Sequence, residues 1–443
     1  MPVVSIRSRS ALPAESRVVR DRTILTLYGP YAVWGWFLYS FSPSVPLLAE
    51  DQGISDAQAG LHGTAMAVGG LVAAFLAPRA VAALGRRGAI VVASLAVAGF
   101  VTALMLGPSL PWTLGAMLLL AVGGNVLIAS AQVGLALHAG PTASAVITEG
   151  NAVGSGIGLL GPLAVGAAVT LGWGWRPAVL VTAVLAMVTT WFVHRLPLTP
   201  SLAGRGSPGP VRAGDDPQGD SPDGDSVIEP EPAGAALPVT GPVVEPAPSG
   251  RWSPGPTAAL FLVAIVAAVA VENATTYWST ALLIDRTGAH PGIATAATAG
   301  LLAGMTVMRL VAGPLTLRIS AAHLLAGGFA VSIAGWAVVW TTTSTGVAMA
   351  GLVLAGLGFG VQYPLTIALL LASEPQHSDR AMGQATLYSA LAVGVAPFLL
   401  GAISDHVDMH TAFLVVPVFA VTGMFAAVAG GRALRKATRP ALD

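Results

Sequence analysis

An all-α integral membrane fold, with twelve transmembrane helices in two six-helix bundles, is what three features of this sequence predict. Of its 443 residues, 54% are hydrophobic and 9% are charged, where soluble domains carry roughly 25% charged residues. Apolar runs of about 20 residues, enough to cross a hydrocarbon core roughly 30 Å thick, recur along almost the whole chain. These runs do not alternate in polarity: residues 89–107 show none of the period-two pattern over about 10 residues that marks a membrane barrel. Only helices fit.

Cut at charges, prolines and polar clusters, the chain gives six spans near 25–48, 58–78, 88–109, 112–138, 144–170 and 177–196. Six more follow near 257–283, 293–316, 321–341, 345–372, 381–402 and 411–431. The implied organisation is a cytoplasmic tail 1–24, a bundle 25–196, a linker 197–256, a second bundle 257–431 and a tail 432–443. The polar, Arg-rich start leads into an apolar run of full spanning length, so it reads as a tail and not as a cleaved signal. The linker is rich in Pro, Gly, Asp and Glu without apolar periodicity, the signature of a disordered spacer. Its acidic cluster, Asp215, Asp216, Asp220, Asp223, Asp225, Glu229 and Glu231, is solvated spacer or a partner-binding tail.

Orientation follows from the excess of Lys and Arg in cytoplasmic loops. With a cytoplasmic N-terminus, only Arg176 and Arg286 of the 21 basic residues lie on the far side. On this reading Arg309 and Arg318 belong to the loop region after the eighth span. One missed or invented span would scramble that split, so it supports the count of twelve as well as a multi-pass plasma-membrane protein with both termini cytoplasmic.

Local signals support the spans. Ser55 and Gln58 have the spacing of a capping box just ahead of the second span, where it satisfies amides that a helix start leaves unpaired. The first span of each half ends alike, with Leu48, Glu50 and Gly53 matched by Leu283, Asp285 and Gly288, as a duplicated bundle would leave behind.

Twelve spans as six plus six, with a long central loop, resemble the major facilitator superfamily, and the likeness covers all but the tails and linker. The fifth span carries Gly158, Gly161, Pro162 and Gly166, similar to the glycine-proline motif that the superfamily associates with antiporters. Glycine permits close helix approach, and proline removes a backbone donor; ordinary small-residue packing is the alternative reading. Pro78-Arg79 through Arg86-Arg87, and Arg309 through Pro314 to Arg318, resemble the superfamily's basic loop motif, although both lack its acidic residue. The fourth span has Asn125 and Gln132 as polar residues, without the buried arginine of many proton-coupled antiporters. Glu272-Asn273 with Trp278, and the run 356–366 with Tyr363-Pro364, are similar to fucose-permease-like members. The resemblance implies a secondary transporter.

An ionised side chain at the bilayer centre costs at least ~2.5 kcal/mol on insertion scales, so each one present needs a reason. Glu272 lies about 15 residues into the seventh span, roughly 22 Å along the helix at 1.5 Å per residue. With no basic group expected at its depth, it is the candidate proton-coupling carboxylate; a protonated structural glutamate is the alternative. Thr275, Thr276 and Ser279 fall three, four and seven residues on, predicting one polar helix face on a cavity. Glu149, early in the fifth span, is a candidate second protonation or gate site, equally explained by the helix macrodipole. Tyr31, Tyr39, Asn125, Asn273, Gln362, Tyr363, Gln384 and Tyr388 are the further cavity candidates, suited to a small polar or amphipathic ligand. Trp34, Trp36, Trp278, Trp336 and Trp340 read as packing or interface anchors, and His138 as a solvated helix end.

An enzyme is not expected: HExxH, GxSxG and phosphate-loop motifs are missing, and Lys436 is the only lysine. Without cysteine, disulfides and thiolate metal sites are excluded, and no cofactor or metal is expected. Zero formal charge gives no general attraction to nucleic acid. The expected partners are the lipid bilayer, protons and a small-molecule substrate, with the chain acting as a monomer. A reporter active only in the cytoplasm should therefore work when fused at either terminus; activity at one end alone would break the twelve-span topology.

Overall fold

A computed structural model describes residues 19–203 and 253–438. The rest, including the acidic cluster of the linker and Arg7, Arg9, Arg17, Arg205, Arg212, Arg251 and Arg439, lies outside the described residues. Ten helices among the described residues are long and apolar enough to cross a bilayer. One of them, Asp56–Leu106, has 51 residues, about 77 Å at 1.5 Å per residue, far more than one crossing requires. It breaks at Gly85, where φ is 71°, so it holds two spans, α2 and α3. A further span, α1, is missed by length alone because it is segmented into Arg22–Leu27, Gly29–Phe41, a 3-10 turn Ser42–Ser44 and Val45–Gln52. Pro30, Pro43 and Pro46 each start one of those segments, where a missing N–H costs no helical bond. The spans are therefore twelve.

The first half continues with α4 (Leu110–Ala139), α5 (Ala143–Thr170) and α6 (Arg176–His194), followed by a short helix Pro200–Ala203. The second half holds α7 (Pro256–Thr287), α8 (Pro291–Thr316), α9 (Ala321–Thr341), α10 (Thr345–Ser373), α11 (Ser378–Ser404) and α12 (Met409–Ala412 with Val415–Thr438). Large apolar side chains such as Phe75, Leu310 and Phe425 are 71%, 76% and 67% exposed, a surface suited to lipid and not to water.

Chain reversal at Gly85 is visible in what α4 touches. Along α4, Thr113 bonds His62 and the backbone near Ala121 meets Gly69, so α2 runs with it. Gly123 then meets Ala93 and Gly134 meets Arg86, so α3 runs against it. The spans also end as the duplication predicts: Gly53 and Gly288 close α1 and α7 in the left-handed conformation, at φ 59° and 60°, which glycine adopts without steric penalty. The Ser55–Gln58 capping box is complete in both directions.

The halves meet along two seams, α2 on α11 and α5 on α8. In lipid, helices gain nothing hydrophobic by touching, so seams rely on small residues and hydrogen bonds. Thr64 donates to the Gly394 carbonyl at 2.6 Å, and a methyl on Gly60 would stand 2.7 Å from the Phe398 backbone. Gly166 and Gly292 pack backbone to backbone across the other seam. At the end of the molecule away from the chain termini, Asp405 accepts from the Asp56 and Ala57 amides at 2.8 and 3.1 Å. Ser404 returns a hydrogen bond to the Asp56 carboxylate at 2.6 Å. We call this the distal end, and its opposite the terminal end.

At the terminal end the basic loop between α2 and α3 holds the start of the linker. Arg86 donates to the Ser201 carbonyl at 2.6 Å, and Arg87 donates to the His194 carbonyl. His138 is not merely solvated, since it bonds Asp21 at 2.6 Å and Ser201 at 3.4 Å. A Cβ at Gly85 would lie 2.8 Å from the Ala203 carbonyl, so both conformation and space demand glycine there. Gly85→Ala should cost about 1 to 2 kcal/mol from the left-handed backbone alone. It is expected to lower the melting temperature of the detergent-solubilised protein, and an unchanged melt would contradict this role.

Candidate functional site: a cavity between the halves

Between the two halves lies a cavity with about 810 Å³ of space not filled by atoms, its open part included. The first half supplies Tyr31, Trp34, Gly35, Leu38, Tyr39 and Ser42 of α1, with Met66, Ile128, Asn151 and Gly154. The second supplies Glu272, Asn273 and Thr276 of α7, and Val393 of α11.

Glycine sets the shape of the first wall. Gly35 packs against the Gly154 backbone, and Gly158 packs under the Tyr39 ring. A Cβ on Gly161 would lie 2.9 Å from the Ser40 amide. The glycine motif of α5 therefore seats α1 at backbone contact, while its last member, Gly166, serves the seam to α8. Gly124 of α4 leaves room for the Trp34 indole, which a methyl there would overlap. Trp34 also rests on Phe37, with ring centroids 5.5 Å apart.

On the second wall, residues 272, 273 and 276 share the cavity-facing stripe of α7. Thr276 and Asn273 return hydrogen bonds to their own helix, at the Glu272 and Val269 carbonyls, each 2.8 Å. Glu272 is half-buried at the midpoint of α7. The expectation that no basic group reaches its depth is corrected. Arg309 lies inside α8 and not in the loop after it, and its charge acts on Glu272 while its guanidinium meets the Tyr39 hydroxyl. A long side chain can place its head far from its own backbone position, which loop counting ignores. Tyr363 of α10 also faces Glu272.

The first half offers the cavity two groups with no hydrogen-bond partner, the Tyr31 hydroxyl and the Trp34 indole N–H. Both residues are only 4% exposed.

The sequence model of the Major Facilitator Superfamily matches residues 31–282 and 260–441. The chain belongs to this superfamily. It is a membrane transporter and not an enzyme. As a major facilitator its fold is similar to that of a bacterial homologue of the human lysosomal transporter Spinster, solved inward-facing and occupied. That likeness has a TM-score of 0.69 at 14% identity and covers 95% of this chain and 98% of the other. A D-xylose-proton symporter matches at TM-score 0.69 and 12% identity, over 92% and 96% of the two chains. An uncharacterized transporter, y4wD of Sinorhizobium fredii, is 27% identical over 168 residues. That stretch is 37% of this chain and 44% of the relative's length.

The other sequence candidates divide between cavity and packing. Tyr31, Tyr39, Asn273 and Thr276 line the cavity. Thr275 and Ser279 instead face a separate apolar pocket with Trp336, Phe359 and Phe413, because a stripe of three and four residues is broader than the strip of helix the cavity sees. Gln362 is spent between α9 and α10, donating to Ser332 at 3.0 Å. Asn125 donates to the Ala121 carbonyl of its own helix at 2.8 Å. Gln384 and Tyr388 lie on α11 outside the lining, with Tyr388 38% exposed. Glu149 is held by Arg20 through both carboxylate oxygens, at 3.0 and 2.5 Å, and by the Tyr28 hydroxyl at 2.8 Å. This ties α1 to α5 at the terminal end. Arg79 bonds the Phe75 carbonyl on its own helix, and Arg318 is exposed just beyond α8.

Trp34, Asn151 and Arg309 are the site residues that sequence reasoning missed. Their signals were present: Trp34 falls between Tyr31 and Tyr39 on one face of α1, and Arg309 sits inside an otherwise apolar run. The other tryptophans are tied inward. Trp36 donates to Ala178, Trp278 to Pro397, Trp336 to Phe413 and Trp340 to His410, all backbone carbonyls, at 2.9, 2.8, 3.2 and 2.9 Å. Gly124→Ala should displace the Trp34 ring at a cost of about 1 to 3 kcal/mol, the usual range for overpacking. A lower melting temperature together with a shifted tryptophan emission would show it; wild-type values for both would mean the ring does not depend on Gly124.

Proposed function

We propose that this protein is a proton-coupled secondary transporter of a small organic molecule, working by alternating access. The observation that carries the reading is a midspan carboxylate, Glu272, in the wall of a cavity shared by both halves. A charge there is costly and marks an ion or substrate pathway by default. On this reading residues 25–196 and 257–431 rock as two bodies, joined by the linker 197–256, and both termini face the cytoplasm of a plasma-membrane protein that acts as a monomer.

The hydrogen bonds of Asp405, Ser404 and Thr64 across the α2–α11 seam cluster toward the distal end. With cytoplasmic termini, that seal faces outward and the cavity is reached from inside. Arg309 gives Glu272 its partner at this depth. Proton uptake would cancel the acidic charge, weaken that pairing across the α7–α8 region and change the balance between inward and outward forms. Tyr31, Asn151, Asn273 and Thr276 present the polar groups that would orient a substrate, while Trp34, Leu38, Met66 and Val393 give it an apolar bed. The same cavity serves symport or antiport, the direction being set by which ligand permits reorientation.

Replacing Glu272 with Gln should abolish accumulation driven by a pH gradient in proteoliposomes, while the melting temperature stays near that of the wild type. Exchange of substrate between equal concentrations should survive. Wild-type uphill transport by the variant would end the assignment.

A further inference from the structure

The chemistry of the cavity points to the charge class of the solute, an inference that rests on the reading of Glu272 as the coupling group. Its unsatisfied groups are donors: the Tyr31 hydroxyl and the Trp34 indole N–H line the wall with no partner, each residue 96% buried by complement of its 4% exposure. An indole N–H can only donate, so its natural partner is an acceptor on a ligand. The one cation that reaches this region is Arg309, which meets Tyr39 and acts on Glu272. The groups facing Glu272 are thus Arg309 from α8, Tyr39 from α1 and Tyr363 from α10. Arg309 is the only permanent charge among them.

Charge bookkeeping then decides the class. With Glu272 ionised, it and Arg309 neutralise each other, and an incoming anion would be repelled by the carboxylate. With Glu272 protonated, Arg309 is left as an unmatched positive charge in a poorly hydrated cleft, and a single negative charge restores neutrality. A cation would meet the opposite situation and be excluded whenever Glu272 is protonated. A neutral solute would leave Arg309 unmatched in the proton-loaded state. Guanidinium and carboxylate also fit as a two-point fork, stronger than a neutral hydrogen bond. We propose that the transported solute is a small organic monoanion, its carboxylate taken by Arg309 and its acceptor oxygens by Tyr31 and Trp34, and that protonation of Glu272 releases Arg309 to bind it.

The test uses the full chain in lipid nanodiscs. The probes are monocarboxylates from acetate to benzoate, each beside its primary amide and primary amine, with binding followed by tryptophan fluorescence and by radioligand retention. Carboxylates should bind at least about tenfold more tightly than their amides, and the amines should not bind. In the wild type, carboxylate affinity should fall about tenfold per pH unit once Glu272 is ionised, because one proton is bound with each anion. Glu272→Gln should remove that fall and bind carboxylates at alkaline pH better than the wild type. Arg309→Gln should lose carboxylate binding, and Arg309→Lys should recover part of it. The gain of binding in Glu272→Gln cannot come from misfolding.

Amides or amines bound as well as carboxylates, no carboxylate bound at all, or a Glu272→Gln variant as pH-sensitive as the wild type would each overturn the proposal. Proton uptake into proteoliposomes separates the two layers. Glu272-dependent uptake driven by a neutral or cationic solute removes the monoanion assignment and leaves the coupling reading standing. Uptake that persists in Glu272→Gln removes both.

Discussion

Backbone contact between helices is the constraint on which this molecule is built. Water is absent from most of its exterior, so helices are not pressed together by the hydrophobic effect, and association depends on close approach and on hydrogen bonds. The chain has 53 glycines, and those that matter here stand where two backbones meet: Gly35 on Gly154, Gly161 on Ser40, Gly166 on Gly292. The first two draw α1 against α5, and that contact fixes which residues of α1 turn inward. The third joins the halves. The cavity is the space left where these contacts hold the walls but do not fill the centre.

The two walls differ in chemistry because they come from different halves. The first is aromatic and donor-rich, built on α1 with its ring packing against α4. The second carries the acid of α7, with the guanidinium of α8 behind it. A ligand bound between them contacts both bodies at once, the condition for its presence to alter how they sit relative to one another. Ion pairs confined to one half, such as Arg20 with Glu149 or Arg176 with Asp51 at 2.6 Å, stiffen that half and add little to the exchange. Being partly exposed, each contributes at most about 1 kcal/mol.

The fold was legible in the sequence because lipid imposes a length and a polarity that can be counted along one dimension. The spans near 144–170 and 321–341 correspond to α5 and α9 almost residue for residue, and the matched caps at Gly53 and Gly288 could be recognised from six letters each. The site was less legible because it depends on helix rotation and on side-chain reach. Three- and four-residue spacing grouped Thr275, Thr276 and Ser279, yet only Thr276 turns to the cavity. Gln362 and Asn125 looked like ligand groups, but amides in a dry helix bundle bond whatever backbone is nearest, and both do. Arg309 was assigned to a loop because a charge near a span end is usually there; its guanidinium reaches inward to Tyr39 instead.

The carboxylate of Asp405 stands over the first two amides of α2 and so serves a helix belonging to the other half. An amide at a helix start must have a partner, and when the halves part at this end the only replacement is solvent. Outward opening is therefore also an act of hydration: water has to enter the gap as the carboxylate leaves it. Solutes that lower water activity without entering the cleft would bias the molecule toward its sealed form. The transport cycle of such a protein acquires an osmotic sensitivity that owes nothing to the substrate or to the proton.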